Sequence, residues 1–178
     1  MTKLYSTNDM KLLEDNIGDI IYNARRYSYD KKKVEPDLKE YNNVMDIIKN
    51  YISKNNKIIY GGFGWNELIK SKNKEDAIYS HDMVELPDIE FYSNDPIQDM
   101  KNLVDILDEK GFKFVQGQEA QHEETYSVFV NFHQYCDISY MPSILFNKMP
   151  TMTINNLKIS HPKFILIDVM RQYNDPIT

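Results

Sequence analysis

The sequence of 178 residues is long enough for one domain, or for one domain with a helical extension, and its 42% hydrophobic and 27% charged residues are ordinary for a folded protein. No apolar run approaches the roughly 20 residues that a membrane helix needs, and acidic residues stand where a secretory signal would have its apolar core. The single cysteine, Cys136, excludes an internal disulfide and a cysteine-based metal cluster. We therefore expect a soluble, intracellular protein that has no membrane partner.

The net charge of −6 argues against strong non-specific binding of nucleic acid. Two short basic segments, residues 24–33 and 70–74, could still form a local basic surface, although solvated helix ends or loops are the ordinary interpretation of such segments. Charge by itself therefore does not identify a nucleic-acid-binding protein.

Two amphipathic helices are predicted at the N-terminus. Leu13, Ile17 and Ile20 recur at helical spacing within residues 9–29, and a second apolar stripe runs through residues 34–55. We expect these helices to form an N-terminal helical segment over residues 1–55.

After residue 55 the pattern changes to short strands that alternate with helices. Strands are predicted at 57–60, 88–92, 112–116, 125–132 and 135–140, helices at 63–71, 94–111 and 161–175, and a hairpin at 151–160 that turns at Asn155 and Asn156. This order predicts an α+β domain over residues 56–178, with a mixed or antiparallel sheet and helices on one side. Because the chain stops just after the last helix, we expect a fragment or a truncated relative of a longer protein.

The predicted strand DIEFY, residues 88–92, carries two acids at alternate positions. Because successive strand side chains point to opposite faces, Asp88 and Glu90 share one face while Ile89 and Phe91 are buried on the other. Neighbouring carboxylates repel each other unless a cation lies between them, and Mg²⁺ prefers such oxygen ligands. A plain hydrophilic strand face is the ordinary alternative.

Asp137 is the candidate for a third carboxylate. It lies in the predicted strand YCDISY, where an acid among apolar residues is costly unless it is paired or ligated. Spacing does not show whether this strand lies beside Asp88. Other acids compete for the role, although surface or helix-end positions suit them better: Asp82, Glu119, Glu123, Glu124 and Asp168.

Three of the six glycines fall within four positions in YGGFGW, between a predicted strand and a predicted helix. Backbone N–H groups at such a turn, with a helix N-terminus behind them, can bind a phosphate. A tight turn with close packing is the alternative for Gly61 and Gly62. Lys158, on the second arm of the hairpin, could also approach a phosphate, with a surface lysine as its ordinary interpretation.

Several longer blocks together resemble one protein family. YGGFGWNELI, PDIEFYSNDPIQDM, CDISYMP and HPKFILIDVMRQYNDP look like the poly(A) polymerase catalytic subunits of large cytoplasmic DNA viruses, closest to the giant-virus branch. These proteins are part of the polymerase-beta-like nucleotidyltransferase superfamily, and the resemblance runs from about residue 57 to the end.

The resemblance implies a catalytic role for each of the candidate acids. Asp88, Glu90 and Asp137 would bind two Mg²⁺ or Mn²⁺ ions, and Gly61 and Gly62 would form the turn that faces the triphosphate. ATP would be the substrate, and AMP would be added to RNA 3′ ends without a template. The resemblance further implies a homodimer or a processivity subunit as partner, and a location in the viral factory of the host cytoplasm or in the virion.

The sequence departs from the superfamily pattern in three respects. The interval between Gly62 and Asp88 is longer, the second acid is a glutamate, and relatives are considerably longer. Two alternatives stay open: another template-independent nucleotidyltransferase, acting on tRNA ends or on a protein or small-molecule hydroxyl, and a non-catalytic module that keeps the fold for dimerisation or RNA docking.

Overall fold

The computed structural model describes residues 6–32, 36–79 and 87–174. The chain divides into two compact units, Met1–Pro36 and Asp37–Thr178. None of the helices in the described ranges combines the length and the apolar character of a membrane-spanning segment.

The described residues of the smaller unit form the helix α1 (Thr7–Lys32). Ser6 and Asp9 cap its start reciprocally: the Ser6 N–H donates to Asp9 Oδ2 at 2.7 Å, and the Asp9 N–H donates to Ser6 Oγ at 3.2 Å. The first helix predicted from the sequence is therefore confirmed.

The larger unit contains the sheet and the other helices. Asp37 caps its first helix by accepting a hydrogen bond from the Glu40 N–H at 2.7 Å, and Asp95, followed by Pro96, begins the helix after the acidic strand. In chain order its elements are α2 (Leu38–Lys54), β1 (Ile58–Tyr60), α3 (Gly61–Lys70), a 3₁₀ turn (Lys74–Asp76), β2 (Ile89–Ser93), α4 (Pro96–Glu109), β3 (Gln116–Glu119), β4 (Thr125–Val130), β5 (His133–Tyr140), α5 (Ser143–Phe146), β6 (Thr151–Ile154), β7 (Leu157–Ser160) and α6 (Pro162–Asn174).

In the described ranges, seven strands form one mixed sheet in the order β3-β4-β5-β2-β1-β7-β6. The pairs β2–β5 and β1–β7 are parallel, and the other neighbouring pairs are antiparallel. The predicted hairpin is confirmed as β6–β7, with Asn155 and Asn156 at φ 49° and 64°. The prediction of an α+β fold with a mixed sheet is therefore confirmed.

One face of the sheet is apolar and covered by helices. Ile59, Phe91 and Ile138 lie opposite one another on neighbouring strands and are fully buried. Helices α2, α3 and α4 contribute to the same core. The predicted placement of helices on one side of the sheet leaves the opposite face, which carries the acids, available for a site.

Helix α2 packs against the sheet within the larger unit. Val44, Ile48 and Ile52 are fully buried in the sheet core. The division of the protein into residues 1–55 and 56–178 stays a prediction about domains, whereas the contacts within this chain divide it after Pro36.

The strand predicted at residues 112–116 is wrong. The helix α4 is followed by Gly111 at φ 85°, and the N–H of Phe112 still donates to the Leu107 carbonyl at 3.3 Å. Phe114 then adopts φ 51° and is exposed. These turns delay the strand, so β3 begins at Gln116.

A buried polar cluster joins α2, β2 and α4 beneath the sheet. Asp99 accepts hydrogen bonds from the Tyr51 hydroxyl at 2.6 Å and from the Ser93 hydroxyl, and its Oδ2 lies 2.5 Å from Lys57 Nζ. The Lys57 ammonium also donates to Ser93 Oγ at 3.2 Å. Asp99 thus pairs with the buried charge of Lys57. The cluster also connects the end of β2 to α2 and α4.

Candidate functional site

The acidic residues meet on two adjacent parallel strands. Glu90 on β2 is the register partner of Asp137 on β5, and Asp88 precedes Glu90 by two residues. The side-chain amide of Gln134 donates to Asp88 Oδ2 and to Asp137 Oδ1, at 3.0 Å in each case. Asp88, Glu90 and Asp137 therefore lie on one face of the sheet, which we call the acid face.

The glycine turn lies directly against the acid face. Gly61 follows Tyr60, the β1 residue paired with Glu90, and begins α3 at φ 63°. A Cβ atom at Gly61 would lie 1.7 Å from Glu90 Oε2, so the carboxylate occupies the space that any other side chain would need. Gly61 therefore satisfies two requirements at once: a left-handed backbone and close approach by an acid.

An acid of the protein itself occupies the start of α3. The N–H of Gly62 donates to Glu90 Oε2 at 2.9 Å, and the N-cap residue Tyr60 makes no side-chain capping bond. Negative charge is favourable at a helix N-terminus, where backbone N–H groups point outward. The turn can thus hold an anion, and in this structure the Glu90 carboxyl group occupies that position.

Gln134 reaches the acids because of a β-bulge. Val128 pairs with Cys136 whereas Phe129 pairs with Gln134, so Tyr135 is an extra residue on β5. Gln134 and Asp137 are three residues apart and would point to opposite faces of a regular strand, but the bulge returns both to the acid face. A strict period of two predicts the wrong face for Gln134.

Hydroxyl groups occupy the acid face beside the carboxylates. The Ser127 hydroxyl donates to Asp137 Oδ1 at 2.5 Å. The Tyr60 hydroxyl lies 2.7 Å from Ser139 Oγ, and the Tyr60 ring stacks on Tyr92 with 4.0 Å between ring centroids. These contacts connect β1, β2, β4 and β5 around the acids.

The environment disfavours ionisation of Glu90 and Asp137. Burial raises the pKa of the Glu90 carboxyl to about 7, and the hydrogen bond from Gly62 opposes this rise. The negative charges of Asp88, Asp137 and Asp168 add to it. Burial also raises the pKa of Asp137, against the hydrogen bonds that it accepts. A cation at this face would relieve the repulsion among these groups.

The donor set fits a divalent cation in its chemistry. Carboxylate oxygens are the ligands that Mg²⁺ and Mn²⁺ prefer. As the side chains stand, no three Asp, Glu, His or Cys residues within the described ranges could close around one ion. Glu90 is turned onto the Gly62 N–H, so metal binding by all three acids requires the Glu90 side chain to rearrange.

Comparison with known proteins places the chain in a family. The family model described as "Poly(A) polymerase catalytic subunit" matches residues 46–178. The chain belongs to this family. The match includes both acidic strands and the glycine turn, which agrees with the resemblance found in the sequence.

Individual members of the poly(A) polymerase catalytic subunit family agree with this assignment. A protein of that description from Acanthamoeba polyphaga mimivirus is 43% identical over 174 residues, which is 98% of this chain and 29% of the relative. One from African swine fever virus (strain Badajoz 1971 Vero-adapted) is 35% identical over 143 residues, 80% of this chain and 29% of the relative. The crystal structure of the Megavirus polyadenylate synthase matches with a TM-score of 0.76 and 44% identity, over 100% of this chain and 35% of that one.

The chain spans only about a third of the length of these family members. The shared α+β fold is therefore established for this part. The activity, substrates and partners of the whole protein are matters for proposal.

The remaining candidates of the sequence analysis lie elsewhere or cannot be placed. Lys158 is on β7 beside Ile58, on the same side of the sheet as the acids, and lines a cavity of about 210 Å³ with Ser53 and Asn156; its predicted role with phosphate stays a prediction. Glu119 is exposed on the edge strand β3. Asp82 falls outside the described residues.

Sequence reasoning missed Gln134 and Ser127. Ser127 carried a usable signal, because it alternates with apolar residues along β4 and so points to the polar face. Gln134 carried no such signal, since the bulge that redirects it depends on pairing with another strand.

Proposed function

We propose that this chain is the part of a viral poly(A) polymerase that holds its catalytic carboxylates, and that the whole protein transfers AMP from ATP to RNA 3′ ends without a template. The observation that carries the proposal is the convergence of Asp88, Glu90 and Asp137 on adjacent strands beside the start of α3. Membership of the poly(A) polymerase catalytic subunit family supports the choice of substrates.

In the proposed site, Asp88, Glu90 and Asp137 would hold two Mg²⁺ or Mn²⁺ ions. Such ions lower the pKa of an attacking hydroxyl and neutralise the charge of a triphosphate. The acids come from two strands fixed by backbone pairing, so this part of the protein supplies position and charge.

The glycine turn would position the nucleotide. Gly61 and Gly62 place backbone N–H groups at the start of α3, where a phosphate could replace the Glu90 carboxylate. The RNA 3′-oxygen would bond to the α-phosphorus as the bond from that phosphorus to the oxygen bridging the α- and β-phosphates breaks. Pyrophosphate would leave, and the hydroxyl proton would pass to solvent water. Lys158 is a further proposed phosphate contact.

The proposal extends to partners and location. ATP and an RNA 3′ end are the proposed substrates, and a second copy or a processivity subunit is the proposed protein partner. The proposed location is the viral factory of the host cytoplasm, with the virion as a second site.

The deciding experiment incubates the full natural-length protein with each nucleoside triphosphate, Mg²⁺ or Mn²⁺, and a labelled RNA. We expect tail growth with ATP, and loss of tail growth by orders of magnitude in Asp88→Asn because one ligand charge is removed. Asp105→Asn, an exposed acid on α4, is the matched control and should leave activity unchanged.

Each alternative has its own outcome. Transfer of another nucleotide, or transfer to tRNA or to a non-RNA hydroxyl, would indicate a different nucleotidyltransferase. A folded protein that binds RNA or dimerises but transfers no nucleotide would indicate a non-catalytic module. An Asp88→Asn variant as active as the wild type would refute the assignment of the acids.

A further inference from the structure

Gln134 is the one side chain in the described ranges that donates hydrogen bonds to two of the acids. Its Nε2 atom lies 3.0 Å from Asp88 Oδ2 and 3.0 Å from Asp137 Oδ1, so a single nitrogen joins carboxylates of different strand segments. An amide nitrogen carries two protons and can serve both acceptors at once.

We propose that Gln134 is a positioning residue for cation binding, which holds Asp88 and Asp137 in the orientation that receives the metal. This inference rests on the proposed function and deepens it. It assigns the residue no contact with substrate and no chemical step of its own.

The oxygen atoms that Gln134 engages support this role. Asp137 accepts its bonds from both Gln134 and Ser127 on Oδ1, and Asp88 accepts from Gln134 on Oδ2. In the described part of the chain, the second oxygen of each carboxylate has no hydrogen-bond donor. One oxygen of each acid is thus anchored to the protein while the other stays available to a cation, as is typical of ligands oriented by neighbouring donors.

The charge of the side chain matters as much as its reach. A lysine here would pair with both acids permanently and would oppose an incoming cation, because like charges repel at short range. The neutral amide orients the two carboxyl groups without adding a positive charge that would repel a cation. The bulge at Tyr135 turns Gln134 onto the acid face, as this role requires.

The test measures Mn²⁺ binding to this chain by electron paramagnetic resonance titration, which does not depend on catalytic activity. Gln134→Leu keeps the size of the side chain but removes both donors, and we expect it to weaken Mn²⁺ binding about 10-fold. Gln118→Leu is the matched control, because Gln118 is exposed on the edge strand β3; its Mn²⁺ affinity should equal that of the wild type.

A second variant tests the charge argument. Gln134→Lys should raise the thermal unfolding temperature of the metal-free protein, since it pairs with two acids, while weakening Mn²⁺ binding more than Gln134→Leu does. Positioning is tested by Gln134→Asn, because partial recovery of Mn²⁺ affinity when an amide donor is present would not follow from packing alone. Gln134→Asn, whose amide is one methylene shorter, should give an intermediate affinity and covers the case in which Gln134→Leu does not fold.

The outcomes distinguish this inference from the proposed function. If the wild type and Gln134→Leu bind Mn²⁺ with affinities within a factor of about two, the role of Gln134 is refuted while the metal site stands. If the wild type binds no Mn²⁺ and Asp88→Asn makes no difference, the metal site itself is refuted and the inference falls with it.

Discussion

Replacing Gly61 with alanine should destabilise the protein through two separate effects. The backbone of Gly61 is left-handed at φ 63°, and the added methyl group would lie 1.7 Å from Glu90 Oε2. The left-handed conformation costs an alanine about 1 to 2 kcal/mol, and displacing Glu90 removes its hydrogen bond from the Gly62 N–H, worth about 1 kcal/mol. We expect the free energy of unfolding to fall by about 2 to 3 kcal/mol.

The assay is urea unfolding at pH 6, followed by circular dichroism and by the fluorescence of Trp65, the single tryptophan. This pH lies below the pKa of about 7 for Glu90, so its carboxyl group is largely protonated. Displacing a neutral carboxyl group into water gains little of the hydration energy that a buried carboxylate would gain. Gly62→Ala is the control: its methyl group would meet the Tyr79 hydroxyl at 2.6 Å, the far end of a side chain that can move. It should change stability by less than about 1 kcal/mol.

A double-mutant cycle tests the proposed cause. In a Glu90→Ala background the methyl group of Gly61→Ala has no carboxylate to displace, so its effect should shrink to the backbone contribution of about 1 to 2 kcal/mol. The reasoning would be refuted if Gly61→Ala were no more harmful than Gly62→Ala, or if its effect were the same with and without Glu90.

Two further changes in stability follow from buried charges. Asp99→Ala should lower the free energy of unfolding by about 3 to 5 kcal/mol, because it leaves Lys57 buried without its carboxylate. Urea unfolding measures this change, with Asp105→Ala at an exposed position as the control. Equal effects of the two substitutions would contradict the prediction. Burial raises the pKa of Glu90 from 4.5 to about 7, so its protonation favours the folded state. The contribution of Glu90 is therefore complete below pH 4.5 and is lost as the pH rises to 7, by about 3 kcal/mol. Glu90→Gln should remove this pH dependence in unfolding curves of the metal-free protein, and an unchanged dependence would show that another group causes it.

Local patterns were sufficient to predict most elements of this chain. Alternation in DIEFY and YCDISY identified two strands and placed Asp88 and Glu90 on one face, because strand periodicity is a property of consecutive residues. The two asparagines of the β6–β7 turn and the Asp95–Pro96 helix start were read in the same way. The prediction failed at residues 112–116, where left-handed residues after α4 extend the turn into a segment with strand-like composition.

The same distinction between local pattern and strand pairing applies to the residues of the site. The amino-acid sequence alone determined which residues could do chemistry: two acids at alternate strand positions, a third acid on a later strand, and adjacent glycines before a helix. Only the tertiary structure decided that β2 and β5 are neighbours, that Glu90 fills the space above Gly61, and that a bulge turns Gln134 onto the acids. The reason is that pairing between strands distant in the chain sets these contacts, and a one-residue change in register would send each side chain to the opposite face.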